Sequence, residues 1–286
     1  MSKVEYQLAD VQPKTEDIVI KPSRGWVPID LAAVWKRRGL LYFLVWRDIK
    51  VRYKQTFLGA AWVVLQPFLI MVVFSIVFGF LAKVPSDGIP YPVFTFCALV
   101  PWQLVANSFT DAGNSLTANQ SLITKVYFPR LIIPLSAVLA RLVDFAFGLL
   151  VLVGMLFYYD MELKNSLWAL PFFVLLALAI GLGVGLWISS LGLRYRDVRQ
   201  MVPFFTQLWF FASPIVYSAA LIPENWRAFY NINPLIGVIE GFRWALLGKG
   251  NMSGQVLTLP VVTIALVLVT GLLYFRRIER TVADVV

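Results

Sequence analysis

Few residues in this chain could do chemistry. Its 286 residues include no histidine and a single cysteine, Cys97. Disulfide frameworks, cysteine–histidine metal sites and histidine acid–base catalysis are therefore excluded together. Carboxylates, guanidiniums and hydroxyls remain. Arg141 with Asp144, and Glu240 with Arg243, stand three residues apart within apolar sequence. A carboxylate base could serve a membrane-embedded glycosyl or acyl transferase, but the expected outer loops offer only Asp87, Asp160, Glu162, Glu224 and Glu240. For Arg141 and Asp144 the simpler expectation is a self-neutralising intramembrane ion pair, because an unpaired charge in hydrocarbon is costly. A role in gating or substrate contact is the alternative.

Phosphate chemistry has no home here either. Gly181, Gly183 and Gly185 have the spacing of a dinucleotide loop, but they lie in an unbroken apolar run without strand–turn–helix context. Close helix packing by small residues explains them better. No G-x-x-x-x-G-K-[ST] motif occurs, so if ATP drives this protein, another chain binds the ATP and Mg and hydrolyses it. No metal or cofactor is expected in this chain.

The elements that hold these residues follow from composition. Hydrophobic residues make up 59% and charged residues 14% of the chain, with a mean hydropathy of +0.74, so lipid must cover surface that a soluble core could not. The net charge of +9 is spread over short stretches between apolar runs, which speaks for membrane topology and against nucleic acid. Residues 57–82, 92–110, 131–158, 167–193 and 256–275 come close to or exceed the roughly 20 residues a helix needs to cross a bilayer. A sixth span, 201–222, is interrupted by Pro203 and Pro214, which membrane helices tolerate when neighbours satisfy the freed carbonyls. The predicted class is thus all-α and polytopic, with six transmembrane helices. With the amino terminus inside, nineteen basic residues fall on the cytoplasmic side and five on the other, so both termini are expected in the cytoplasm. The first 25 residues contain no apolar core, and no cleavable signal peptide is expected.

Four regions result: a polar cytoplasmic segment over 1–28, an amphipathic interface helix over 29–56, a transmembrane domain over 57–275 and a cytoplasmic tail over 276–286. On the interface helix, Tyr42, Val45, Trp46, Ile49 and Tyr53 are expected on one face, Arg47, Lys50 and Lys54 on another, with Asp48 pairing with Arg52 at i, i+4. Residues 223–254 are too long for a tight turn, and their apolar stretch is too short to span. Short re-entrant or surface-lying helices on the outer side are expected there.

Aromatic residues account for 15% of the chain. Trp62, Phe74, Phe78, Trp102, Phe205 and Trp209 are candidates to line a channel, because apolar faces of sugar rings slide over aromatic faces without being trapped by strong hydrogen bonds.

Five ordered motifs carry a family resemblance: RDIKVRYKQTFLGAAWVVLQPFLIMVVFSIVFG (47–79), KVYFPR (125–130), LGLRYRDVRQ (191–200), SPIVY (213–217) and NINPLIGVIEGFRWALLG (231–248). The chain resembles membrane permease subunits of type-2 ABC exporters that move O-antigen, capsule or teichoic-acid polysaccharide. The resemblance implies a homodimeric pore in the inner membrane, two copies of a separate nucleotide-binding ATPase subunit beneath it, and a polyprenyl-diphosphate-linked glycan as substrate. O-antigen is the first expectation, with capsule, teichoic-acid or small-drug export as alternatives. By the same resemblance Ser115, Lys125, Tyr127 and Arg130 belong to the ATPase-docking loop. Gly59, Trp62 and Pro67 shape the first pore helix. Pro214, Tyr217, Asn231, Pro234, Glu240 and Arg243 form the outer gate. Arg47, Lys50, Arg52 and Lys54, at the height where a diphosphate would wait, are expected to recruit the headgroup.

Overall fold

A computed structural model of the chain describes residues 31–54, 60–162, 164–195, 197–249 and 254–279. The polar segment 1–28, Gly59, Arg196 and the tail from Arg280 onward lie outside the described residues. Within them the chain is helical, with no strand. Helices α1 (Leu31–Lys36) and α2 (Arg38–Lys54) precede α3 (Ala60–Phe74), which continues as a π-helical run over Ser75–Leu81. Then come α4 (Tyr91–Ala118), α5 (Gln120–Lys125), α6 (Ile132–Tyr158), α7 (Leu170–Arg194) and α8 (Asp197–Phe211). The short α9 (Glu224–Tyr230), α10 (Pro234–Leu247) and α11 (Gly254–Glu279) complete the bundle. Among the described residues, five helical segments are long and apolar enough to cross a membrane: Ala61–Leu81, Tyr91–Ala118, Ile132–Tyr158, Ser166–Arg194 and Leu257–Glu279.

The expected span over 201–222 is built differently. Helix α8 has 15 residues and stops at Phe211, because a proline at 214 disfavours helical backbone at the residue before it. Residues 212–218 that follow are non-helical. Near the start of α8, Arg199 donates to the carbonyl of Gly192 at the end of α7. At the other end of the bundle, Tyr91 Oη donates to the Val216 carbonyl at 2.6 Å and Ser218 Oγ to Asp87 at 2.7 Å. The segment is therefore a short helix followed by an irregular stretch, whose carbonyls at Val216 and Ile215 accept from Tyr91 of α4 and Arg243 of α10.

Helix α4 is the axis of the core, and its contact with α7 depends on missing side chains. A Cβ on Gly181 would lie 2.5 Å from Ser108 Cβ, and one on Gly185 would lie 2.5 Å from Ala112 Cβ. On the opposite side of α7, a Cβ on Gly183 would meet the backbone of Leu268 in α11 at 3.0 Å. The three glycines are thus packing positions, as expected of small residues between membrane helices.

Helix α10 is set by its ends. Asn233 caps it, accepting from the Leu235 N–H at 3.1 Å, Pro234 occupies the first turn, and Gly248 closes it in left-handed conformation at φ 63°. Nearly all of its residues are buried among α4, α7 and α11. It is a helix inserted into the end of the bundle rather than lying on its surface.

The interface helix turns a different face inward. Leu44 is buried against α6, and Leu41, Asp48 and Arg52 follow it on that side, while Tyr42 and Trp46 are exposed. Asp48 pairs with Arg47 at 2.7 Å, not with Arg52. The cause is long-range ion pairing. Arg52 has acceptors on two other helices, so the side of α2 bearing Leu44, Asp48 and Arg52 is drawn into the protein, while Tyr42, Trp46, Lys50 and Lys54 face out.

Candidate functional site

Two cavities run along one side of α4. The first, of about 510 Å³, lies between α2, α3, α4 and α6 and is lined by Arg52, Trp62, Arg141, Asp144 and Phe145 among others. The second, of about 520 Å³, lies between α3, α4 and α8 against Phe74, Trp102, Phe210 and Phe211. Gln66, Gln103 and Asn107 line both, so the two spaces meet at a band of amides. Gln103 and Asn107 are one turn apart on α4, and Thr110, Asp111 and Asn114 continue their polar side. Pro67, just after Gln66, frees a backbone carbonyl in α3. The π-helical run that follows is a feature concentrated at functional sites.

At the α2 end, the charges close on themselves. Arg52 donates to Asp111 at 2.8 Å and to Asp144 at 3.0 Å, and Arg141 donates to the same two oxygens at 2.6 and 2.7 Å. Tyr53 donates to the other Asp144 oxygen. Two guanidiniums and two carboxylates from α2, α4 and α6 form a neutral ring. Burial, and then the hydrogen bond to Asp144, pushes the Tyr53 hydroxyl above its usual range, so it stays a donor. The interface helix is therefore clamped to two membrane helices. Sequence spacing revealed the Arg141–Asp144 half; Arg52 and Asp111, far away in the chain, carried no local signal of it.

At the α10 end, side chains fasten α8 to α10. Asn233 accepts from Trp209 Nε1 at 2.9 Å and donates to the Ala212 carbonyl at 3.2 Å and Ser213 Oγ at 3.1 Å. Trp209 in turn stacks on Phe109 at 5.8 Å between centroids and meets Trp102 edge-on at 6.3 Å. Within α10, Arg243 is 2% exposed, pairs with Glu240 at 2.9 Å and lies 3.6 Å above the ring of Phe94. Tyr217 and Tyr230 share a hydrogen bond of 3.0 Å, and burial followed by that bond raises the Tyr230 hydroxyl. Asn233 lies within the 231–248 motif assigned to the outer gate, and its place before a proline and an apolar helix is a capping signal.

The predicted site residues divide accordingly. Trp62 and Phe74 line the cavities, and Trp102 does so from a nearly buried position. Phe78 packs on Phe74 at 5.5 Å, and Phe205 is exposed on α8 outside both cavities. Tyr217, Asn231, Pro234, Glu240 and Arg243 gather around the α10 end, with Pro214 in the irregular passage that leads there. Of the four basic residues on α2, Arg52 is held in the ring and Arg47 by Asp48, whereas Lys50 lies over the Trp46 ring at 5.3 Å and Lys54 is exposed. In the 115–130 loop, Lys125 and Tyr127 are exposed on and after α5. Ser115 is placed otherwise than expected: it is buried in α4 with its hydroxyl on the Ala112 carbonyl, so it cannot be touched from outside. Arg130 is bound to Glu279 of α11 through both its backbone N–H and its guanidinium.

A model of the ABC-2 type transporter family matches residues 39–247. The O-antigen export system permease protein RfbA of Klebsiella pneumoniae is 32% identical over 247 residues, covering 86% of this chain and 94% of that protein. Its namesake in Myxococcus xanthus is 30% identical over 213 residues, 73% and 81% of the two chains. The polysialic acid transport protein KpsM of Escherichia coli is 25% identical over 240 residues, 82% and 91% of the two chains. The matched stretch takes in most of the interface helix, both cavities, the charge ring and α10, and the chain belongs to the ABC-2 type transporter family.

Proposed function

We propose that this chain is the channel-forming subunit of an ATP-driven exporter that carries a lipid-linked polysaccharide, an O-antigen glycan, from the cytoplasm across the inner membrane. The observation that carries the proposal is the groove beside α4. It joins a wall of aromatic rings to a band of amides, surfaces suited to sugar-ring faces and sugar hydroxyls respectively. The relatives named for O-antigen export match 86% and 73% of this chain.

Two copies of the chain enclose the path, and two copies of a separate ATPase subunit, which bind ATP and Mg, dock beneath. The end bearing α5 faces the cytoplasm with both termini, as the bias of basic residues requires. The exposed side of α5 with Lys125 and Tyr127 receives the ATPase. Its movement reaches the membrane helices through the charge ring, because α2, α4 and α6 share it. Lys50 and Lys54, with Arg47, draw the polyprenyl diphosphate to the inner leaflet. The α8–α10 junction opens the far end.

The test is reconstitution of the chain with its ATPase partner in liposomes, with a polyprenyl-diphosphate O-antigen glycan supplied at the ATPase-bearing face. ATP-dependent appearance of the glycan on the other side, with stimulated hydrolysis, is expected. Hydrolysis without glycan transfer, or transfer without ATP, would refute the proposal. Preferential movement of a polysialic acid or teichoic-acid carrier would reassign the substrate within the family.

A further inference from the structure

We propose that Gln66, Gln103 and Asn107, with Gln207 on the facing helix, form a subsite that hydrogen-bonds the hydroxyls of a neutral glycan chain; this rests on the export reading above. The first three are the residues common to both cavities, and Gln207 lines the second. Among the described residues, none of the four side chains has a hydrogen-bond partner in the protein. Several neighbouring hydroxyls are satisfied locally: Thr110, Thr206 and Ser75 each donate to a carbonyl of the preceding turn. Gln103 and Asn107 are half-buried on α4 and Gln66 and Gln207 are exposed to the groove, so all four amides are open to an occupant of it, and an apolar occupant would leave their donors and acceptors unmet at a cost. Four of them aimed at one groove point to a ligand or solvent that meets them.

The chemistry narrows the ligand. A primary amide offers two donors and one carbonyl acceptor, the complement of a hydroxyl that both donates and accepts. The cations nearest the band, Arg52 and Arg141, are each shared between Asp111 and Asp144, so the groove presents no surplus charge to an anion there. The neighbouring wall of Trp102, Phe74 and Phe210 supplies apolar ring faces. Hydroxyl contacts on one side and ring contacts on the other describe a neutral polyhydroxylated chain.

The experiment uses the complex with its ATPase partner in nanodiscs and tritiated maltohexaose as probe, with hexagalacturonic acid as the charged counterpart. Saturable maltohexaose binding is expected, weakened about tenfold in Gln103→Leu/Asn107→Leu, the loss of roughly one net hydrogen bond's worth of affinity per amide. If that double variant is not recovered intact, Gln103→Met and Asn107→Ser are read singly, and each is expected to weaken binding about threefold. Absence of saturable binding by the wild type, binding within twofold in the variants, or tighter binding of the galacturonate would overturn the subsite. So would dissociation of the two copies in the variants, which would make the amides a contact between chains. The export assay separates the two claims. A wild type that moves no lipid-linked glycan yet loses maltohexaose binding in the double variant refutes the export reading and keeps the subsite. A double variant that exports and binds as the wild type does refutes the subsite alone.

Discussion

Removing one carboxylate from the charge ring should cost more than removing a matched pair. The Asp144 side chain is 9% exposed and accepts from Arg52 at 3.0 Å, from Arg141 at 2.7 Å and from Tyr53. Asp144→Ala leaves two guanidiniums facing the single carboxylate of Asp111. Breaking a buried ion pair from one side costs about 3–5 kcal/mol. The arginines are 21% and 18% exposed, so partial solvation puts the loss near the lower figure, about 3 kcal/mol. Arg52→Met removes the opposite charge and should cost about 2 kcal/mol by the same reasoning with more solvent present. The double variant Arg52→Met/Asp144→Leu keeps the Arg141–Asp111 pair at 2.6 Å and is neutral again. Its destabilisation should fall short of the sum of the single losses by about 3 kcal/mol, leaving the double variant less destabilised than Asp144→Ala alone. Equilibrium unfolding of the purified chain in mixed detergent micelles measures all three. Losses that add to within about 0.5 kcal/mol would refute the ring as a coupled unit.

Asn233→Ala removes every hydrogen bond joining Trp209, Ala212, Ser213 and Leu235 through one side chain. A loss of about 2–3 kcal/mol is expected, with faster hydrogen exchange at 212–218, while Asn233→Asp, which keeps the acceptors, should fall between. A Cβ on Gly241 would lie 2.1 Å from Phe173, so Gly241→Ala should destabilise by about 1–3 kcal/mol through overpacking, and Phe173→Leu should restore much of that. Burial raises the Tyr53 and Tyr230 hydroxyls, so the folded chain holds these protons after an unfolded tyrosine, at about pH 10, has released them. Their contribution is level below that pH and falls above it. A stability–pH profile that declines less steeply above about pH 10 in Tyr53→Phe is the check.

Much of this architecture could be read from the residues, and the failures have a common cause. Apolar runs located the long helices because lipid imposes its length requirement locally. Glycine spacing on α7 foretold close packing for a similar reason: a helix face is a property of neighbouring residues. The Arg141–Asp144 pair was legible at i, i+3. Its completion by Arg52 and Asp111 was not, since three elements distant in sequence meet there, and the same long-range pairing rotated the inward face of α2 away from the one its periodicity suggested. Segment 201–222 had enough apolar residues for a span, but Pro214 ended the helix and α10 filled the space. The amide band escaped notice because Gln66 and Gln103 are solitary polar residues within apolar runs, and only the antiparallel packing of α3 on α4 brings them to one groove. Aromatic residues advertise themselves by number, whereas single glutamines do not.

The central claim is that the glycan passes through the groove beside α4, and the chain's sole cysteine makes this measurable. Cys97 is fully buried, so a Cys97→Ala background allows a thiol to be introduced by Gln103→Cys without competition. The measurement is the rate at which a small polar thiol reagent modifies that position in the complex with its ATPase, with and without a lipid-linked glycan arrested in transit by ATP-hydrolysis block. The account predicts reaction in the empty complex and protection of at least about tenfold when the glycan is arrested, a rate ratio equivalent to about 1.4 kcal/mol. Equal modification rates in both states, with arrest verified by export assay, would place the glycan elsewhere and contradict it.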